Sequence, residues 1–164
     1  MKARFKKKKY VVVKNVISPE ISDFLYQYFL LKRQVAQTMF KERFISPFTT
    51  YFGVWNDSCE VSTTLFLGGD NWPIFIDPTG SNNVMDPGKN TIKPDAPKGV
   101  QVNLNPGDML VYSGCDLEHW REAFDGKDCG QVFLHYNNTE TPGADKNLYD
   151  KRPHLGLTSD FKKP

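Results

Sequence analysis

NPGDMLVYSGCDLEHWREAFDGKDCGQVFLHY, residues 105–136, is the stretch that decides the fold. Asn105-Pro106-Gly107-Asp108 is a tight-turn signature, with Pro fixing φ and Gly free to take a positive one. Met109 to Tyr112 follows as a short apolar run and predicts a buried strand. Glu118-His119-Trp120-Arg121 comes next, and Gln131 to Tyr136 predicts another strand. Strand alternation puts His119 and Arg121 on one face, and Gln131, Phe133 and His135 on one face of the later strand. An imidazole, a guanidinium and an amide at a barrel mouth can hold a metal and a small carboxylate. The plainer reading is that a single His among aromatics is a hydrogen-bonded structural residue.

Working outward, Val61 to Leu67 predicts a strand closed by Gly68-Gly69-Asp70-Asn71, and Pro73 to Ile76 a short one. Val100 to Leu104 alternates apolar and polar. Residues 77–99 are crowded with Pro, Gly, Asn and Asp and read as one long loop, a candidate lid. Phe48 to Trp55 is weakly strand-like and aromatic, and the tail from Asn137 is turn-rich. Near the start, Tyr10 to Ile17 is a β-branched strand. Ser18-Pro19-Glu20 then opens a helix with Ser at the N-cap, Pro at the first position and an acid in the first turn. Ile21, Phe24, Leu25, Tyr28, Leu31 and Val35 recur at helical spacing, so this face is expected to pack on a sheet. The basic run Lys6 to Lys9 reads as a solvated end.

The chain has 164 residues, ample for one domain with a real core, and 1–164 is read as a single domain. With 12 Phe, 7 Tyr and 3 Trp, wholesale disorder is excluded. Apolar runs such as Val11-Val12-Val13 and Phe29-Leu30-Leu31 are far short of a bilayer span, and no signal-like h-region follows the basic start. A net charge of +2 implies no global field for nucleic acid. Cys59, Cys115 and Cys129 have no CxxC spacing and read as reduced thiols in a cytosol. One helix ahead of many short strands predicts a small β-sandwich or barrel with helical support: a mostly β fold with flanking helices.

The run Cys59-Glu60-Val61-Ser62-Thr63-Thr64-Leu65-Phe66-Leu67-Gly68, then Trp72-Pro73-Ile74-Phe75-Ile76, PGDMLVYSGC, LEHWRE and QVFLHYNN resembles the 2-oxoglutarate- and Fe(II)-dependent dioxygenases. It is most similar to prolyl 4-hydroxylase-like members of marine bacteria and their phages. The second half carries the resemblance, with the tail from Gly143 to Gly156; the first 57 residues match more loosely. The resemblance implies a double-stranded β-helix, a cupin-like jelly roll with outer helices. It implies Fe(II) held by two His and a carboxylate, 2-oxoglutarate as cosubstrate and ascorbate as accessory reductant. It also implies hydroxylation of a C–H bond in a small molecule or peptide, a prolyl residue being the family-level guess, in the cytoplasm of a bacterium or infected host. No nucleic-acid or membrane partner is expected.

By that resemblance His119 is the distal iron ligand. The strand after the distal His commonly carries a Lys or Arg for the cosubstrate's C5 carboxylate; here the register gives Gln131, which is neutral. Arg121, on the His119 face, can supply the charge instead, against the alternative of a surface ion pair with Glu118 or Glu122. Ser62 and Thr64 share a strand face and can donate hydroxyls to the cosubstrate, or stand there simply as β-formers. Tyr112 faces either core or pocket. His135 reads as structural or as a support to a ligand, and Trp72 and Trp120 as core or pocket wall.

The family's H-x-D pair has no counterpart. His occurs only at 119, 135 and 154, and residues 53–56, ahead of Asp57 and Ser58, are Gly-Val-Trp-Asn. Phe52 to Asp57 is similar to a segment that normally lies well upstream, so an internal piece bearing both ligands is expected to be absent at Asp57/Ser58. About six strands after Asp57, against the eight that close a jelly roll, point the same way. The alternative is a true deletion, giving a non-catalytic, cupin-like module that binds a peptide or glycan.

Overall fold

The computed structural model describes residues 2–39, 60–80, 84–86, 91–96, 98–114, 116–140 and 142. The expectations for Phe48 to Trp55, the Asp57/Ser58 junction, Cys59, Cys115, His154 and the tail from Gly143 lie outside them. The order is α1 (Lys2–Lys8), β1 (Tyr10–Val13), α2 (Pro19–Met39), β2 (Val61–Gly69), β3 (Ile74–Ile76), β4 (Met85–Asp86), β5 (Thr91–Ile92), β6 (Val100–Val102), β7 (Met109–Tyr112), β8 (His119–Trp120) and β9 (Cys129–Tyr136). Among the described residues the protein is mostly β, with two helices and antiparallel sheets.

One sheet runs β1-β7-β2-β9, a second β6-β3-β8, and β4 and β5 form a ribbon of their own. Phe66 of β2, Ile74 and Ile76 of β3, Val102 of β6 and Leu110 and Tyr112 of β7 form one buried cluster with Leu104 and Leu117. The two larger sheets therefore share a core, which requires them to face each other. Among the described residues eight strands follow residue 60, more than the roughly six expected. The difference of two is the β4–β5 ribbon, inside what composition marks as a loop. Strand shortage thus loses its weight as a sign of missing chain.

The NPGD turn is built as its residues require. Gly107 sits at φ +88° with Ile17's carbonyl so close that a Cβ would lie 2.5 Å from its oxygen. Asp108 is buried and accepts from Lys14 Nζ at 2.6 Å and from the amides of Asn15 and Asn105 at 3.1 and 2.9 Å. Burial would raise its pKa, but Lys14 and the two amides outweigh that and hold the carboxyl below its usual range. The first strand ends at Val13, short of Ile17, because Lys14 and Asn15 are engaged on Asp108. The basic start forms the short helix α1, which buries no residue, in keeping with a solvated end.

Helix α2 begins as its cap residues dictate: the Ser18 hydroxyl accepts the Ile21 amide at 3.3 Å. Its packed face is not the one expected. Ser22 is fully buried and its hydroxyl donates to the Leu67 carbonyl at 2.8 Å. The Tyr26 ring lies over Gly68 and Gly130, where a Cβ would come within 3.1 and 2.7 Å of it. Arg33 pairs with Asp128. A hollow made by two glycines and a carbonyl at its rim seats the helix by these residues. Ile21, Phe24, Tyr28, Leu31 and Val35 are turned outward and exposed, and Leu25 is half-buried.

Candidate functional site

Strand register gathers the candidate residues on one side of the space between the sheets. Ser62, Thr64 and Phe66 of β2 stand opposite His135, Phe133 and Gln131 of β9, and Ser62 and Thr64 stand opposite Tyr112 and Leu110 of β7. Paired residues share a face, and Phe66, Leu110 and Tyr112 belong to the inter-sheet core. Ser62, Thr64 and Gln131 therefore face inward as well. From the other sheet, His119 pairs with Ile76, also a core residue, and so faces the same space. Trp120 points to the opposite side and stacks on Phe75 at 5.7 Å.

Arg121 is 4% exposed. One guanidinium nitrogen donates to the Trp72 carbonyl and another to Gln131 Oε1 at 2.9 Å. The group lies 5.1 Å from the centre of the Trp72 ring. Both acceptors are neutral, and none of the ion pairs among the described residues involves Arg121. The expected surface pairing with Glu118 or Glu122 is absent there: Glu118 Oε2 accepts the Val84 amide, and the Glu122 carbonyl accepts the Trp72 indole N–H. Burial lowers the Arg121 pKa to about 10, which leaves it a cation at neutral pH. A buried cation held by neutral dipoles is costly and is well placed to receive an anion.

Gln131 completes this anchor. Its carbonyl oxygen takes Arg121, and its Nε2 donates to Cys129 Sγ at 3.1 Å. The amide is thus fixed by both ends and orients the guanidinium. Burial, as the largest effect, pushes the Cys129 thiol pKa up, so it stays protonated. Two residues along β2 from Phe66 is Thr64, fully buried, whose Oγ1 has no hydrogen-bond partner among the described residues. A buried hydroxyl left in that state costs about 1–3 kcal/mol.

His119 Nδ1 lies 2.9 Å from the Leu117 carbonyl. A carbonyl can only accept, so Nδ1 carries the proton and Nε2 keeps its lone pair, the arrangement a metal-binding imidazole needs. Burial first, then Arg121 and His135, lower its pKa against the Leu117 bond, so the ring is neutral at pH 7. The Tyr112 ring meets it edge-on at 4.8 Å, which places Tyr112 in the core and beside the candidate site at once. His135 Nδ1 lies 3.2 Å from Ser62 Oγ. His119 fits one iron ligand. Among the described residues no group of three or more His, Cys, Asp and Glu side chains is placed to hold a metal.

The structure thus joins Arg121 to Gln131 and Ser62 to His135, and sets Thr64 on the same face between them. Three contributions escape the sequence. The Trp72 carbonyl and ring hold Arg121 from 49 residues away, Cys129 fixes the Gln131 amide, and Tyr112 supports His119. Only the aromatic richness around Trp72 hinted at the first. No protein-family model matches the chain, and no curated protein matches it.

Proposed function

We propose that this chain is a 2-oxoglutarate- and Fe(II)-dependent oxygenase on a double-stranded β-helix frame, hydroxylating a C–H bond of a small molecule or of a peptide, prolyl residues included. The observation that carries the reading is Arg121: a buried cation whose described partners are all neutral, on the same side of the core as an unpartnered Thr64 hydroxyl and an imidazole with a free Nε2 lone pair. In this reading Arg121 binds the C5 carboxylate of 2-oxoglutarate, Gln131 and Trp72 hold the guanidinium in place, and Thr64 and Ser62 offer hydroxyls. His119 would hold the iron through Nε2 as one ligand of the three; the H-x-D pair that would complete the set is not in the sequence as given. Iron with its cosubstrate would supply oxidative decarboxylation coupled to C–H hydroxylation. The chain's own part is to bind and orient the dicarboxylate and keep its anchored end dry.

A second reading keeps the same anion pocket without the chemistry: a cupin-like module that binds an acidic peptide or glycan. It is favoured by the absence of His from residues 1–118. Intact mass separates the two, since a mass several kilodaltons above 18.8 kDa gives room for the missing ligands, and 18.8 kDa itself favours the module. The functional test is 2-oxoglutarate binding by calorimetry with iron-dependent succinate formation. Arg121→Ala is expected to weaken binding about 100-fold, as truncating one partner of a buried charge pair does. His119→Ala is expected to abolish iron binding in a protein that still folds. Unchanged 2-oxoglutarate affinity in the Arg121 variant, or succinate formation surviving His119→Ala, overturns the assignment.

A further inference from the structure

Helix α1 and the residue after it carry a charge that helix stability does not explain. Lys2, Arg4, Lys6, Lys7, Lys8 and Lys9 are six cations with no acid among them. Lys6, Lys7 and Lys8 in the last turn suit the helix dipole, but Lys2 and Arg4 in the first turn oppose it. All six are exposed. The rest of the chain has 15 Lys and Arg against 19 Asp and Glu, a net charge of −4, so the positive charge is gathered at one place.

That place is fixed on the sheet. Lys9 is at φ +59°, a conformation glycine normally supplies, and its amide donates to the Phe5 carbonyl at 2.7 Å. Its carbonyl accepts the Ser113 amide at 2.9 Å, and its Nζ lies 3.0 Å from Asp116 Oδ2. Ser113 and Asp116 belong to the segment that joins β7 to His119. Strand register sets Tyr10, Tyr112, Ser62 and His135 in one row across β1, β7, β2 and β9. Val12, Leu110, Thr64 and Phe133 form the next row on that face, and Phe66 and Gln131 the one beyond. The cations therefore leave the sheet at the Ser62–His135 end, away from Gln131 and the Arg121 it holds. That end is the open one: along β9, Gln131 is half-buried, Phe133 is 46% exposed and His135 is exposed.

We propose that α1 and the exposed end of β9 bind an acidic, extended peptide across the mouth of the pocket, its carboxylates on the α1 cations and an apolar residue against Phe133. β1 and β9 are three strand spacings apart, about 14 Å, which about four extended residues cover. The acids then stand about four positions from the apolar residue. Phe5 is the one large apolar side chain of α1, so the helix has no apolar face with which to enter a bilayer. A long nucleic acid would meet the net negative charge of the remaining chain. The inference rests on the oxygenase reading for the position of the mouth and names that site's substrate class.

The test is fluorescence anisotropy with the full chain and two labelled, proline-containing decapeptides, one with four Glu and the other with Gln at the same positions. At low salt the Glu peptide is expected to bind about tenfold more tightly, four exposed ion pairs giving roughly that factor, and to lose the preference in 0.5 M salt. Lys2→Gln with Arg4→Gln removes two cations that oppose the dipole, so the helix is kept, and is expected to weaken binding about threefold. Adding Lys6→Gln, Lys7→Gln and Lys8→Gln should abolish the preference. Lys32→Gln with Lys127→Gln, beside the Arg33–Asp128 pair at the far end of β9, should leave it unchanged. Equal affinity for the two peptides overturns the proposal. So does a preference that ignores the α1 variants, or tighter α1-dependent binding of single-stranded DNA of equal charge or of phosphatidylserine vesicles. 2-Oxoglutarate binding by calorimetry is expected to be the same in the α1 variants as in the parent. Its absence in the parent defeats the oxygenase reading, whereas its presence without a peptide preference defeats only this inference.

Discussion

The two sides of the space between the sheets have opposite chemistry. On the side of β6, β3 and β7, Val102, Ile74, Ile76 and Leu110 meet as a purely apolar pack, with Leu110 and Ile76 fully buried. On the side of β8 and β9, the outermost strands of their sheets among the described residues, that face carries His119 and Gln131 and, toward its exposed end, Phe133 and His135, with Arg121 just beyond β8. Burial is similar at Leu110 and at Arg121, yet one burial stabilises and the other costs. A chain selected for stability alone would fill the second side as it fills the first. The apolar half therefore holds the fold, and the polar half is where the proposed dicarboxylate would be anchored.

The largest effect should come from the apolar half. Leu110→Ala is expected to lower the free energy of unfolding by about 3 kcal/mol, as cavity-forming substitutions of fully buried Leu do. Urea denaturation checks it. A loss under about 1 kcal/mol would mean that the contrast between the halves is not one of packing.

Arg121→Met sharpens the contrast from the other half. It removes a buried charge and keeps an apolar stem of similar length, so stability should stay within about 1 kcal/mol of the parent. The freed acceptors, the Trp72 carbonyl and Gln131 Oε1, offset part of the gain. A loss of about 3 kcal/mol or more would make Arg121 a structural tie between Trp72 and β9 instead of an anion anchor.

Much of this frame was legible because its signals are local. The NPGD turn, the Ser18 cap, the strand run Val61 to Leu67 with its Gly68-Gly69-Asp70-Asn71 close and the apolar run Met109 to Tyr112 each act within a few residues. Period two on β8 and β9 was enough to set His119 with Arg121, and Gln131 with His135. What was not legible depends on distant partners. The seated face of α2 is chosen by glycines at 68 and 130 and a carbonyl at 67, which helical periodicity cannot see. Arg121 next to two glutamates reads as a surface pair, but β8 turns it inward against Trp72. The β4–β5 ribbon lies in a stretch whose Pro and Gly content marks loop, since two-residue strands carry no periodicity.

The smallest expected effect discriminates best. The Thr64 hydroxyl sits between the two halves, opposite Leu110 on one side and Phe133 on the other. Were it there only as a β-former, Val would serve as well or better, because the branched shape is kept and the unpartnered oxygen is gone. Thr64→Val is then expected to raise stability by about 1 kcal/mol, the lower end of the penalty for a buried unsatisfied hydroxyl. If the hydroxyl donates to a bound carboxylate, the same variant should weaken 2-oxoglutarate binding about tenfold, since a hydrogen bond to a charged group is worth about 1.5 kcal/mol or more. The two readouts must move in opposite directions: a more stable protein that binds less well. A variant that gains stability and binds unchanged leaves Thr64 in the apolar half. A variant that loses stability shows that the hydroxyl is satisfied in the free protein, and the line between the halves then runs on the other side of Thr64.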